Sequence, residues 1–304
     1  MSFNKTVWSS LLTISLCGEP PSAENHLQVD TEKAGQLPVE PFGFPYHLTI
    51  TAPLEPDTLI PMPRATGPTR KLPYDPVAAM AALSVADPKL ARLIARAGPF
   101  TVRLPRQQSP FEALLRAIVY QQIHGNAALA IHTRLIASFS PHLPPNTPAN
   151  LFLHPSPEQL LDAPKESLRA AGLSANKALA IRDLAAKTLD GTVPTLAQIR
   201  RMSDADIIEH LTQVRGIGKW TVEMLLIFRI GRPNVLPTSD FGIRKGFALT
   251  FLGLKPTTKL TPDLLATPAQ IEKRAKKWQP WCSVASWYMW RACDLAAGKV
   301  VQPE

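Results

Sequence analysis

Apolar residues recur at intervals of three and four along most of the chain, which is the period of an amphipathic helix. Phe111, Leu115 and Ile118, for example, fall on one helix face. The pattern predicts helices over Pro76–Ala86, Pro88–Ala97, Pro110–Tyr120 and residues 126–139, 157–163, 165–171, 174–189, 203–214, 219–230, 240–252, 268–277 and 281–297. No convincing alternating strand follows residue 75, so we predict an all-α domain over residues 76–304.

Residues 1–75 lack this periodicity and hold eleven of the 31 prolines. A weak alternation over residues 46–52 predicts one short strand at most. Because proline-rich, acidic segments bury too little apolar surface to fold, we predict a low-complexity, largely disordered segment ahead of the helical domain. The alternative is that this segment arises from an upstream start, since Met62 and Met80 both precede the sequence blocks described below.

Positive charge is concentrated in the helical part of the chain. The 304 residues are 45% apolar, enough for one large or two small domains, and carry a net charge of +9. Residues 1–63 hold two lysines against seven acids, whereas residues 64–304 hold 31 bases against 17 acids. A basic folded domain suits a polyanion such as nucleic acid. The alternative is an ordinary solvated surface.

Cysteine usage and hydropathy argue against several other classes of protein. Cys17, Cys282 and Cys293 are too few and too far apart for a disulfide framework or a metal cluster, and we expect no metal and no cofactor. No apolar run reaches the ~18–20 residues that are needed to span a membrane. The mildly apolar stretch 7–17 is a poor candidate for a signal peptide, because polar residues interrupt it. We expect a reducing compartment, either a bacterial cytoplasm with its nucleoid or a eukaryotic nucleus.

Two glycines lie in a short turn between two helical patterns, within residues 211–221. Gly216 and Gly218 can adopt positive φ and let the backbone approach a ligand closely. The amides of such a hairpin, together with the start of the next helix, form a site for an anion such as a phosphate. The alternative is a glycine that merely ends a helix.

The residues around these glycines fit a phosphate-binding hairpin. Val214 and Ile217 are apolar and are expected to anchor the hairpin in the core. Lys219 can contact a phosphate directly, and Thr221 offers a hydroxyl.

A single carboxylate, Asp240, follows Trp220 by twenty residues, at the predicted start of a helix. The preceding Pro237, Thr238 and Ser239 form a helix-capping sequence, and a carboxylate in a first helical turn is favoured in its charged form. A held anion can stabilise positive charge that develops on a sugar, or orient a water as a base. The alternative is that Asp240 is only a helix cap.

The chain resembles the helix-hairpin-helix DNA glycosylase superfamily, and most closely its 3-methyladenine DNA glycosylase II branch, which acts in alkylation repair. Besides the hairpin, three blocks at residues 111–123, 173–184 and 278–291 match helices of that family in the same order. The resemblance implies two helical subdomains with the active cleft between them. It also implies damaged double-stranded DNA as partner, with no obligate protein partner and a monomeric enzyme.

The resemblance makes Asp240 the catalytic residue. Family members that also cleave the DNA backbone use a lysine two positions after the second glycine, where this chain has Trp220. A Schiff base cannot form on tryptophan, and Lys219 stands one residue too early. The expected activity is therefore that of a monofunctional glycosylase.

Excision needs the base to leave the duplex and enter a stacking pocket, and aromatic faces also attract cationic alkylated purines. The main candidates to line that pocket are Trp220, Tyr120 and Trp290. Trp287 and Trp281 come next, with core packing as the alternative for both. Met224 stands where some relatives have a tyrosine, which leaves the range of lesions open.

The loop 121–125 lies where the family inserts a wedge that fills the gap left by the flipped base. The wedge candidates are Gln122, Ile123 and His124, and the sequence does not choose among them. Gly125 would bring the start of the next helix close to DNA. Arg244 and Lys245 are candidates for phosphate contacts, with solvated surface charge as the alternative.

Two other functions remain open on the sequence. One is a glycosylase with lyase activity on oxidised bases, against which Trp220 and the missing cysteine cluster argue. The other is a non-catalytic helix-hairpin-helix DNA-binding protein, which needs neither Asp240 nor the aromatic residues. The resemblance also allows a monovalent ion on the hairpin carbonyls.

Overall fold

The computed structural model describes residues 69–105, 109–140 and 154–299, and this part of the chain has the predicted all-α fold. The α-helices are α1 (Pro76–Ala86), α2 (Pro88–Ala97), α3 (Pro110–Tyr120), α4 (Gly125–Ser138), α5 (Pro157–Asp162), α6 (Lys165–Ala170), α7 (Ala175–Leu189), α8 (Leu196–Ile199), α9 (Asp204–Leu211), α10 (Lys219–Leu225), α11 (Phe241–Phe247), α12 (Pro268–Ala275) and α13 (Cys282–Ala296). Among the described residues, no helix is long and apolar enough to cross a membrane.

The structure refines several of the predicted elements. The helices α10 and α11 continue as π-helical turns, Leu226–Ile230 and Ala248–Leu252, each followed by a glycine of positive φ. A 3₁₀ turn over Pro262–Leu264 and the four-residue α8 are too short for a periodicity to reveal. The predicted strand at residues 46–52 and the first cysteine lie outside the described residues.

The described residues include some ahead of the predicted boundary at residue 75. Thr69–Arg70 forms a short strand, β1, that pairs antiparallel with β2, Leu104–Pro105. The Arg70 guanidinium donates to the carbonyls of Arg229 and Ile230 at 2.8 and 3.0 Å. Strand β1 thus lies in the segment predicted to be largely disordered, and β2 in the part predicted to be all-α. Two-residue strands carry no alternation, so the sequence could not show them.

Side-chain caps mark the starts of the first three helices. Asp75 and Asp87 cap α1 and α2, and each is followed by proline at the first helical position. Ser109 and Glu112 form a reciprocal capping box at the start of α3. These local signals explain why the predicted and observed starts of α1, α2 and α3 coincide.

The buried apolar residues form two cores, as expected for two helical subdomains. The first core draws on α3 to α10 and includes Leu114, Ile118, Leu184, Leu211 and Val222. The second draws on α1, α2 and α11 to α13 and includes Leu83, Leu90, Ile243, Trp278 and Trp287. The chain thus enters the second subdomain, crosses to the first at α3 and returns at α11. Val102 and Trp290 pack against both cores.

A buried ion pair ties the second subdomain together. The Asp87 side chain is fully buried and accepts two hydrogen bonds from Arg274, both at 2.7 Å, and one from the Trp278 indole at 3.1 Å. Burial opposes ionisation of Asp87, but the bonds from Arg274 and Trp278 outweigh it and lower the pKa of this carboxyl. The Asp87 side chain therefore joins the start of α2 to α12 and to Trp278, in the segment between α12 and α13.

Replacing Asp87 by Asn should lower the free energy of unfolding by about 2–3 kcal/mol, because Arg274 loses its charged partner. The pKa of Asp87 is lowered in the native state, so the stabilisation is present at neutral pH and is lost as the pH falls through the native pKa. Urea unfolding at neutral and at acid pH measures both effects. A variant as stable as wild type at neutral pH would contradict this role.

Candidate active site

The glycine hairpin joins α9 to α10 and is held by a tight turn. The amide of Ile217 donates to the Val214 carbonyl at 3.0 Å, and Gly216 has φ of +77°. A side chain is strained at that φ, which explains the glycine at position 216. Gly218 has an extended φ of −97°, so positive φ does not account for it. A Cβ at Gly218 would meet open space, so this position leaves room for a ligand beside the backbone.

The side chains of Val214 and Ile217 are buried, as expected for anchors of the hairpin. Because the side chain of Val214 is enclosed in the first core, only its backbone can reach DNA. The neighbouring Lys219 is exposed, with 65% of its side chain accessible, and Thr221 is half-buried. The hairpin therefore presents backbone and one lysine outward.

Helix α7 braces the hairpin through two residues that sequence reasoning missed. Asp183 accepts a bond from the Arg215 amide at 2.7 Å, and Lys187 donates to the Gln213 carbonyl at 2.6 Å. The two side chains also form an ion pair at 2.8 Å across one helical turn. Their i,i+4 spacing was visible in the sequence, but such a pair alone does not indicate a partner loop. From the turn that follows α3, Gln121 Nε2 donates to the Gly216 carbonyl at 2.9 Å.

Asp240 is the centre of a network that joins both subdomains. The Trp220 indole of α10 donates to Oδ2 at 2.8 Å, and the Trp290 indole of α13 donates to Oδ1 at 2.8 Å. The carboxylate also caps α11 by accepting a bond from the Ile243 amide at 2.8 Å. Asp240 is only 8% exposed, so these donors replace the water that an anion otherwise binds. Trp220, Trp290 and Asp240, chosen separately from the sequence, thus meet at one place.

Two glycines of α11 allow α13 to come close enough for this network. A Cβ on Gly242 would lie 2.6 Å from Trp290 Cδ1 and 3.2 Å from Asp240 Oδ1. A Cβ on Gly246, one turn later, would overlap the backbone carbonyl of Met289. Only glycine fits at either position while Trp290 stays on Asp240. The sequence offered no signal that separates these glycines from ordinary ones in a helix.

A second carboxyl, Glu223, lies buried beside this network and was not anticipated. It is 3% exposed, stands one turn after Trp220 on α10, and leaves Oε2 without a hydrogen-bond partner among the described residues. The pKa of Glu223 is raised to about 7, mainly by burial; the Lys219 ammonium opposes this shift and the charge of Asp240 adds to it. Glu223 therefore holds a proton at a pH where most carboxyls have lost theirs.

The other aromatic candidates are placed differently. The Arg116 guanidinium covers one face of Tyr120 at 4.1 Å, and the edge of that ring meets His132 at 5.9 Å between centroids. Trp287 is buried and packs on Phe100 at 5.1 Å, which makes it a core residue. Trp281 packs on Tyr74 at 5.7 Å, in the segment ahead of α1. Met224 is half-buried against the first core. None of these side chains bonds Asp240 in the structure described.

Residues 121–125 form an exposed turn between α3 and α4. Gln122 has φ of +57°, the only positive value among the described residues other than glycine. Ile123 is 37% exposed, and His124 caps α4 through Nδ1, which accepts a bond from the Asn126 amide at 3.3 Å. Gly125 begins α4, one residue before the predicted start. Gln122 stands at the tip in a strained conformation.

Of the two basic residues after Asp240, Arg244 and Lys245, the first already makes a structural hydrogen bond. Arg244 Nε donates to the carbonyl of Ala266 at 2.8 Å, so this side chain holds the segment that leads into α12. Lys245 is half-buried. Of the predicted phosphate contacts, Lys219 is therefore the most accessible side chain.

The fold and site together define a two-subdomain helical protein with a glycine hairpin and a single anion held by two tryptophans. Residues 115–278 match the family described as HhH-GPD superfamily base excision DNA repair protein, and the chain belongs to this superfamily. It is 34% identical to DNA-3-methyladenine glycosylase 1 of Schizosaccharomyces pombe, over 70% of this chain and 86% of that protein.

Solved structures show the same relationship. That of the Schizosaccharomyces pombe 3-methyladenine DNA glycosylase Mag1 in complex with abasic DNA matches with a TM-score of 0.56 and 33% identity, covering 70% of this chain and 95% of that one. A DNA-3-methyladenine glycosidase from Bacillus halodurans matches with a TM-score of 0.60 and 28% identity, covering 73% of this chain and 92% of that one.

Replacing Gly242 by Ala should displace Trp290 from Asp240 and lower the rate of base release from methylated DNA about tenfold, the effect of one bond to a charged group. Trp290→Phe keeps an aromatic ring and removes the indole N–H donor, so it should show a similar loss of activity. Circular dichroism checks that both variants fold. Full activity of Gly242→Ala would show that the indole–carboxylate bond is dispensable.

The buried Glu223 should make the protein less stable as the pH rises from about 4.5 to about 7. The native state keeps the proton up to the higher value, whereas the unfolded chain loses it at the lower one, so the native state binds more protons in between. Each pKa unit corresponds to about 1.4 kcal/mol. Urea unfolding across this range should show the decline in wild type and a flatter profile in Glu223→Gln. Parallel profiles would mean that Glu223 does not titrate there.

Proposed function

We propose that this protein is a monofunctional DNA glycosylase that flips alkylated bases of the 3-methyladenine type out of DNA and hydrolyses their N-glycosidic bond in base excision repair. The observation that carries the proposal is the buried Asp240 carboxylate, held between the Trp220 and Trp290 indoles at 2.8 Å each. Membership of a base excision repair superfamily and the names of the relatives support it.

Asp240 supplies the charge that this reaction needs. As the bond between C1′ and the base nitrogen breaks, its electrons leave with the base and the sugar becomes positively charged. A fixed carboxylate stabilises that charge, or accepts a proton from the water whose oxygen then bonds to C1′. Because three N–H donors already hold Asp240 in place, little rearrangement is needed when the charge develops.

The arrangement favours hydrolysis without strand cleavage. A lyase needs a lysine amine that reaches C1′. Here the residue facing Asp240 is Trp220, and Lys219 lies instead 3.8 Å from Glu223. The expected product is therefore an intact strand with an abasic site.

The base pocket would use the faces of Trp220 and Trp290, because their N–H edges are occupied by Asp240. A cationic alkylated purine gains cation–π attraction there in addition to stacking. Tyr120 and Met224 are assigned to the wider pocket, with only one face of Tyr120 free of Arg116. Such a pocket favours flat, positively charged bases in general rather than one particular base.

Damaged double-stranded DNA is the proposed partner. Gly216, Gly218, Lys219 and Thr221 of the hairpin would hold the phosphate backbone, with Val214 contributing through its backbone. The turn of Gln122, Ile123, His124 and Gly125 would enter the duplex, and Lys245 with the remaining donors of Arg244 would face phosphates. The positive φ of Gln122 favours it as the wedge, because functional side chains are often held in such strained positions. The protein would act in the nucleoid or the nucleus, wherever its DNA lies.

Asp240→Asn keeps the size of the side chain and removes its charge, so it should lower release of methylpurines at least ~100-fold while DNA affinity is retained. Wild-type product should break only after alkali, since the abasic strand is otherwise intact. The matched control is Asp206→Asn, an exposed aspartate in the first turn of α9.

Three results would argue against the proposal. Unaided strand cleavage by wild type would indicate a lyase. Undiminished excision by Asp240→Asn would remove Asp240 from the chemistry. No release from alkylated, deaminated or oxidised DNA would leave a DNA-binding protein without glycosylase activity.

A further inference from the structure

Glu223 and Lys219 form an unusual pair on α10, because one is buried and the other is exposed. The Glu223 side chain is 4% accessible, the Lys219 side chain 65%, and Lys219 Nζ lies 3.8 Å from Glu223 Oε1. The carboxyl therefore sits inside the site, one turn from Trp220, while the ammonium extends to the surface beside the hairpin. This pair therefore links the interior of the site with the exposed surface beside the glycine hairpin.

We propose that Glu223 is a positioning residue for Lys219, which holds this lysine in an ion pair when ionised and releases it to a DNA phosphate when protonated. The inference rests on the proposed function, since it requires that Lys219 contact DNA. The proposal gives a role to a carboxyl that takes no part in hydrolysing the N-glycosidic bond and does not itself bind a phosphate.

Two charged groups act on the Glu223 carboxyl, and they act in opposite directions. Lys219, on the same helix, favours its ionised form, and Asp240, at the start of α11, disfavours it. Burial adds to the effect of Asp240, and Oε2 has no donor among the described residues to compensate a second negative charge. The resulting pKa of about 7 places both forms within reach near neutral pH.

Competition for Lys219 couples DNA binding to proton uptake. A phosphate that takes Lys219 away from Glu223 removes the one group that favours ionisation, so the pKa of Glu223 rises on binding. The complex then holds more protons than the free protein. Affinity is therefore fully present below the pKa of the free protein and declines as the pH rises through it.

The salt dependence of DNA binding tests the proposal, because each phosphate contact adds about 0.9 to the slope of log affinity against log salt. The probe is duplex DNA with a stable abasic-site analogue, followed by fluorescence anisotropy over about 50–200 mM salt. Titrations are made at about pH 6 and about pH 8.5, on either side of the Glu223 pKa of about 7. Wild type should show a slope steeper by about 0.9 at the lower pH, because Lys219 then joins a phosphate.

Three variants make the result specific. Glu223→Gln cannot ionise and should keep the steep slope at both pH values, apart from any pH effect of other groups, which it shares with wild type. Lys219→Ala should give the shallow slope at both. Glu209→Gln, an exposed glutamate on α9 that changes the net charge by the same amount, should behave as wild type.

A second measurement needs no change at the buried position. Calorimetric titration of DNA into wild type near pH 7.5, in buffers of different ionisation enthalpy, should show proton uptake that falls in Lys219→Ala. Equal uptake in the two proteins, an equal pH effect on the slopes of wild type and Glu223→Gln, or an unchanged slope in Lys219→Ala at low pH would each overturn the proposal. If one of these contradicting results is found and wild type still excises bases, only the role of Glu223 is overturned and the proposed function stands. If wild type binds no DNA, both the role of Glu223 and the proposed function are overturned.

Discussion

The arrangement of this protein depends on one buried anion. Asp240 is almost enclosed, and a carboxylate in that position is stable only where N–H groups replace its water. Those groups come from α10, α11 and α13, so the charge is satisfied only when both subdomains are in place. The bond from Trp220 on α10 is a contact between the two subdomains, whereas those from Ile243 and Trp290 lie on helices of the second subdomain. Loss of one donor is therefore expected to affect the site and the fold together.

The sequence predicted what depends on local periodicity and local chemistry. The helices, the hairpin and the anchors Val214 and Ile217 all follow from spacings within one or two turns. Asp240 was identifiable because a capping sequence precedes it. Even here the agreement has a limit, since the π-helical turns after α10 and α11 keep the apolar pattern of an α-helix and differ from it only in hydrogen bonding.

The remaining features depend on pairs of residues far apart in the chain. Trp290 reaches Asp240 across fifty positions, and it does so because Gly242 and Gly246 lack a Cβ where α13 crosses α11. A glycine within a helix looks the same in the sequence whether or not another helix lies against it. The bond from Arg244 Nε to the Ala266 carbonyl, twenty-two residues away, likewise has no signal in the sequence. Packing, rather than residue type, decided these roles.

The two carboxyls of the site show the same principle in their charge. Asp240 accepts bonds from three N–H donors, whereas Glu223 has only a distant ammonium at 3.8 Å and an oxygen without a partner among the described residues. A second full charge this close to Asp240 would raise the free energy of both. In the proposed function the catalytic charge is that of Asp240, and Glu223 takes up a proton more readily than an ordinary carboxyl. The neighbours of each carboxyl, and not its own chemistry, therefore give the two groups different properties.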